Sequence, residues 1–143
     1  MSRCFGLFEG RRPARSVESG GRLAPVRPLP NAVSSQCEPR DSVHYIEPLR
    51  VRGEPDVAWV RLVVAVREMR GCRVVEERSD YLCVEFCSRF FGFVDDVEFT
   101  LHAVAGLIHV RSAARLGRSD FGVNRRRVES IRRSGGFPAH VPG

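Results

Sequence analysis

The chain has 143 residues, 43% of them hydrophobic, and a formal net charge of +6. That length accommodates one domain around one core, and the longest apolar run, Leu62 to Val66, is far shorter than the ~20 residues that cross a bilayer. All 23 basic residues are arginine, which excludes Schiff-base and phosphate-loop chemistry that needs a lysine.

The opening residues, MSRCFGLFEGRR, hold no apolar signal core and no small-residue cleavage pattern. Cys4 lacks the apolar stretch that lipid attachment needs. The expectation is a cytoplasmic chain whose five cysteines, at 4, 37, 72, 83 and 87, are reduced thiols. No CxxC pair is present. Residues 1–29 are rich in Arg, Gly, Pro and Ser without any period and read as a disordered or loosely attached basic arm. The domain is expected over residues 30–134, with a flexible tail over 135–143.

Within the domain, VHYIEPLRV (43–51) reads as a first strand, interrupted at Pro48. Asn31, Ser34 and Ser35, just before it, read as turn and capping residues whose side chains bond nearby backbone. Glu54 and Pro55 open a helix. Trp59, Leu62, Val63, Val66 and Met69 fall on one face of it, and Gly71 ends it. Four strands follow, over about 73–78, 81–89, 93–103 and 107–114, with short links that make an antiparallel meander. A last helix spans about 123–133, with Asp120 or Asn124 as its cap and Val128 and Ile131 as its apolar stripe. The order β-α-β-β-β-β-α gives an α+β fold. Its antiparallel sheet of about five strands carries two helices on one face.

Charge is unevenly spread along this order. Residues 1–30 carry a net +4, residues 31–110 a net −4, and residues 111–143 a net +6. Pairing between the acidic middle and the basic end explains this as well as an external anion does.

Strand alternation assigns the acids of FGFVDDVEF (91–99) to faces. Asp96 and Glu98 share the outer, polar face with Glu85, His109 and Arg111. Asp95 has the parity of Phe93 and Val97 and points to the core, where a lone carboxylate is costly. Its partner is expected to be a bidentate arginine, Arg115 first, with Arg111, Arg118 and the backbone of the 112–124 turn as the other choices.

The segments PNAVSSQ (30–36), FGFVDDVEF (91–99) and VRSAARLGRSDFGVNRRRVESIR (110–132) are similar to an uncharacterised bacterial and plant-plastid family, catalogued as domain of unknown function 1499. The resemblance covers about residues 20–133 and implies no known activity, substrate or cofactor. The family's polar signature falls here on Asn31, Ser34, Ser35, Asp95, Asp96, Glu98, Arg111, Ser112, Arg115, Gly117, Asp120, Gly122 and Asn124. One feature departs: the family's two cysteines near the first motif are replaced by Val26 and Ala32, so a thiol role there is lost.

Four chemistries compete for these residues. A metal site from Cys83, Cys87, His102 and His109 fails on spacing, because positions i and i+4 of a strand lie roughly 13 Å apart. Neither a metal nor a cofactor is expected. Ser34 and Ser35 near Asp41 and His44 lack a nucleophile elbow. Arginines 125, 126, 127, 132 and 133 suit phosphate contact, but no stacking or helix-turn-helix motif accompanies them, and nucleic acid is not the expected partner. The favoured reading is a binding or structural module for an anionic small molecule or a protein. Its site is formed by Asp95, Asp96, Glu98, Arg111, Ser112, Arg115, Arg118, Asp120 and Asn124 around a glycine turn and a helix N-terminus. The alternative is a hydrolase using Asp96 and Glu98 with His109 or His44.

Overall fold

The structure, a computed structural model, describes Gly10, residues 21–88 and residues 92–139. Its strands are β1 (Ala32–Ser34), β2 (Leu49–Arg50), β3 (Cys72–Glu77), β4 (Tyr81–Cys87), β5 (Val94–His102) and β6 (Leu107–Ala114). Two helices, α1 (Pro55–Arg67) and α2 (Val123–Ser134), complete the fold. The expected meander is present, with spatial order β1-β6-β5-β4-β3. All strand pairings are antiparallel.

The free edge of β6 is shared by two short strands. Val33 lies across from Ser112, and Leu49 across from Ile108. The expected first strand is therefore reduced to Leu49–Arg50, and PNAVSSQ supplies a strand where turn residues were expected. Pairing with β6 makes β1 a strand; three residues between Pro30 and a turn carry no period of their own.

One sheet face packs on both helices. Leu82, Val84, Phe86, Val97, Phe99, Ile108 and Val110 meet Trp59, Leu62 and Val66 of α1 and Val128 and Ile131 of α2. Alternation assigned these strand residues correctly. The helices stay helical despite their valines and arginines because each buries a continuous face. The core also takes in Phe137, which is 6% exposed, from the stretch read above as a tail. Its backbone N–H donates to the Arg132 carbonyl, 2.9 Å away.

The second sheet face departs from expectation. It was read as a solvated polar surface, yet Glu85, Asp96, Glu98 and Thr100 on it are all buried. Residues 21–29, within the segment read as a loose arm, lie against this face. Leu23 is buried with Tyr81 and Cys83. Its N–H donates to Gln36 Oε1 at 2.8 Å, and Arg111 donates to the Pro25 carbonyl at 3.4 Å. The rest of that arm, Gly10 aside, lies outside the described residues. Cys37, Cys72 and Cys83 are free thiols, whereas Cys87 is disulfide-bonded, which corrects the expectation of reduced cysteines at that position.

Phe137→Ala should lower unfolding free energy by about 3 kcal/mol, the scale of truncating a buried phenylalanine. Urea unfolding measures this; a change within about 0.5 kcal/mol, as for an exposed residue, would show that Phe137 is no part of the core.

Candidate functional site

Adjacent acids of β5 serve opposite faces. Asp95 points toward α2, where Arg127 pairs with it at 2.7 Å. The same guanidinium lies 4.7 Å from the centroid of the Phe86 ring and donates to Asn124 Oδ1 at 2.8 Å. The expected partner, Arg115, is corrected to Arg127. Arg115 follows the parity of His109, Arg111 and Ala113, so it stands on the second face and cannot reach Asp95. Arg127 occupies the inward stripe of α2 with Asn124, Val128 and Ile131, a spacing that could have identified it.

On the second face Arg115 grips Asp96 with two N–H groups, at 3.0 and 2.6 Å, and reaches Glu85 at 3.4 Å. Glu85 also pairs with Arg73, whose Nε lies 3.1 Å from it. Burial pushes the Asp96 carboxyl above the ordinary carboxylate range, and the Arg115 guanidinium pulls against that. Glu98 accepts the Tyr81 hydroxyl at 2.5 Å. Burial, and then that contact, hold the Tyr81 phenol far above its ordinary pKa. This is a paired charge layer inside the protein, where breaking one member leaves a costly buried charge.

Beside it, His109 Nδ1 is 2.9 Å from Ser35 Oγ, and that oxygen also accepts the Val110 N–H at 2.9 Å. His102 stacks edge-on against His109 at 4.9 Å. Burial, helped by His102, lowers the His109 pKa and keeps the ring neutral. Asp96, Glu98 and His109 thus share a face, as alternation requires, with each engaged by a different partner. His44 stands apart from them. Its Nδ1 lies 2.8 Å from Asp41 and its Nε2 2.8 Å from the Leu29 carbonyl. Two acceptors call for two N–H donors. Burial opposes the charge, but the carbonyl and Asp41 outweigh it and raise the His44 pKa.

The glycine turn and the N-terminus of α2 close into a single hydrogen-bond node. Asp120 accepts the Gly122 N–H at 2.9 Å and the Asn124 N–H at 3.0 Å, but the N-cap position itself is Gly122, which corrects the expectation of Asp120 or Asn124 there. Burial would raise the Asp120 pKa, yet the Asn124 side-chain amide, at 2.9 Å, and then these backbone donors bring it below the ordinary value. Asn124, fully buried, accepts the Ser112 hydroxyl at 2.5 Å and donates to the Asn31 carbonyl at 3.3 Å. Asn31 in turn donates to the Gly117 carbonyl at 2.8 Å. Ser34 Oγ accepts the Gln36 N–H at 3.2 Å, a local turn contact. The signature residues therefore join β1, β6 and α2.

The arginines divide by what they touch. Arg132, buried, donates to the carbonyls of Pro48 and Glu47 at 2.9 and 2.7 Å. Arg125 reaches the Val43 carbonyl and Arg126 the Phe121 carbonyl, at 3.1 and 2.9 Å. Arg118 is exposed and makes no ion pair or hydrogen bond among the described residues. Arg111 lies directly across from Glu98 in register, but its buried Nε has no hydrogen-bond partner.

Arg111 lines a cleft of about 350 Å³ with Arg27, Asn31, Asp96 and Arg115. Among the described residues Arg27 hydrogen-bonds there to backbone, the carbonyls of Ala114 at 3.5 Å and Arg115 at 3.3 Å. A larger cleft of about 620 Å³ is lined by Arg22, Arg27, Arg40, Glu38, Asp41 and His44; Asp41 there is already engaged by His44. Among the described residues no group of three or more His, Cys, Asp or Glu could hold a metal ion, and no helix is long and apolar enough to cross a membrane.

A family model described as "Protein of unknown function (DUF1499)" matches residues 22–134, in line with the three motifs. No curated protein and no solved structure matches.

A double-mutant cycle on Asp95→Asn and Arg127→Met should give a coupling of about 1–3 kcal/mol, and Asp95→Asn with Arg115→Met almost none. Coupling to Arg115 instead would contradict the pairing. The histidines should act with opposite sign on the pH dependence of stability. The His109 pKa is lowered, so its contribution is present above the unfolded value near 6.5 and is lost as pH falls through the folded pKa. The His44 pKa is raised, so its contribution is full below 6.5 and is lost as pH rises through the folded pKa. Urea midpoints across this range should flatten on the acid side in His109→Gln and on the alkaline side in His44→Gln. An exchange of those two outcomes would refute the assignment.

Proposed function

We propose a binding role from one premise: the chain belongs to the family described as protein of unknown function (DUF1499), whose label assigns it no reaction. The role is that of a non-catalytic module that holds a small polar anion in the cleft between residues 25–32 and the end of β6. The observation that carries this reading is the buried Arg111 Nε, an N–H of a permanently charged group with no acceptor. A buried donor without a partner costs about 1–3 kcal/mol, more when charged. Rotation of the Arg111 side chain toward a ligand oxygen in the cleft would remove that cost.

Charge division supports the same reading. Arg115 is neutralised by Asp96 and Glu85. Among the described residues Arg111 and Arg27 bond only to backbone carbonyls, at 3.3 Å or longer. Two guanidiniums with spare donors at one cleft match a carboxylate or phosphate, whose oxygens accept paired N–H groups. A cleft of about 350 Å³ sits at the small end of ligand sites. The hydrolase alternative has weaker support, since Asp96 and Glu98 each already hold a hydrogen-bond donor.

Titration with inorganic phosphate, sulfate, acetate and citrate, followed by thermal unfolding and calorimetry, tests the role. At least one anion should give a saturable rise in thermal midpoint; at one hundred times Kd the stabilisation is about 2.7 kcal/mol. Arg111→Gln and Arg27→Gln should each weaken binding about tenfold, and Arg133→Gln should not. No saturable shift with any anion, or full binding by both cleft variants, would overturn the proposal.

A further inference from the structure

Phe121 is 86% exposed and has φ 52°. Among the described residues it is the one non-glycine at positive φ, a conformation that disfavours bulky side chains. The turn around it is firmly held. Its N–H donates to Ser119 Oγ at 3.3 Å, its carbonyl accepts from Arg126 at 2.9 Å, and the next N–H donates to Asp120. Glycine would meet the same backbone demand without strain, as Gly117 and Gly122 do nearby at φ 93° and 80°. The fold thus keeps a phenylalanine where glycine fits the backbone better, and points it into solvent.

Its surroundings define what it meets. Val43 and Val123 are also exposed, at 52% and 39%. Val43, Asp120, Gly122 and Arg125 line one shallow depression beside it. Arg118, Arg125 and Arg126 have no carboxylate partner among the described residues. The nearby acid, Asp120, directs its oxygens at the N–H groups of Gly122 and Asn124. The result is an exposed apolar tip on a segment whose neighbours in the chain, Arg118, Arg125 and Arg126, supply three cations.

We propose that this pole docks on the surface of an anionic lipid bilayer, with Phe121 entering the boundary between headgroups and acyl chains and the three guanidiniums meeting headgroup phosphates. A bilayer supplies negative charge and apolar depth without shape complementarity. A folded protein partner would need a complementary patch of about 800 Å² on this side, and one aromatic with two valines offers far less. The docking is independent of the anion cleft.

Sedimentation with vesicles of phosphatidylcholine mixed with phosphatidylserine, against phosphatidylcholine alone, is the test. The full chain should bind the mixed vesicles, release them as salt rises, and ignore the neutral ones. Phe121→Gly should weaken binding at least tenfold while its thermal midpoint equals or exceeds that of the unaltered chain. Arg118→Ala should weaken binding about fivefold, and Arg111→Gln should bind as the unaltered chain does, which separates a surface from headgroup capture in the cleft. Equal binding to both vesicles, binding to neither, retained binding by Phe121→Gly, a lowered midpoint in that variant, or loss of binding in Arg111→Gln would each overturn the proposal.

Discussion

A carboxylate shielded from water on a sheet needs a hydrogen-bonding partner, and two acids of β5 take arginines for this on opposite faces. Alternation sends Asp95 to the helix side and Asp96 to the other. Arg127 meets the first at 2.7 Å, and Arg115 meets the second at 2.6 Å. Each pair also joins elements distant in sequence. The Asp95 pair fixes α2 over the sheet, and the Asp96 pair ties the end of β6 across β5 to Glu85 on β4. Removing one partner of such a pair costs about 3–5 kcal/mol, so the motif acids act first as constraints on where α2 and the end of β6 can lie.

That requirement sorts the arginines of the basic C-terminal region. Arg115 answers the buried Asp96, Arg127 the half-buried Asp95, and Arg132 backbone carbonyls. The node around Asn124 meets its polar demands with neutral groups and Asp120, so no arginine beyond Arg127 is drawn into it. The remaining cations are therefore informative. Arg111 and Arg27 face one cleft, and Arg118, Arg125 and Arg126 flank Phe121 in the chain. Cluster size alone would have pointed to a nucleic-acid surface on α2. The contacts move attention to the cations that the fold leaves without an acid.

Much of this architecture was legible in the chain. The helical periods of α1 and α2 and the strand patterns of β3 to β6 reflect local burial, and they located these six of the eight elements closely. The short β1 was missed because Ala32–Ser34 becomes a strand only through pairing with residues about eighty positions later. The buried second face was misread because its residues are polar, and polarity on alternate positions normally marks solvent. Only Leu23 hinted that residues 21–29 cover it. That Asp95 needs an arginine followed from its parity. Choosing Arg115 overlooked that alternation, carried one residue past β6, puts Arg115 on the face of Asp96. The bare Nε of Arg111 and the exposed Phe121 have no sequence signature, because both depend on what neighbouring groups fail to provide.

The central claim is that Asp95 and Asp96, adjacent in the chain, belong to two separate charge systems on opposite sheet faces. Equilibrium urea unfolding of Asp95→Asn, Asp96→Asn and the double variant tests it directly. Each single change should destabilise by about 2 kcal/mol or more, and the two should add within about 0.5 kcal/mol, as independent sites do. A near-neutral effect of either change, or a large coupling between them, would show a single acidic cluster and contradict the account.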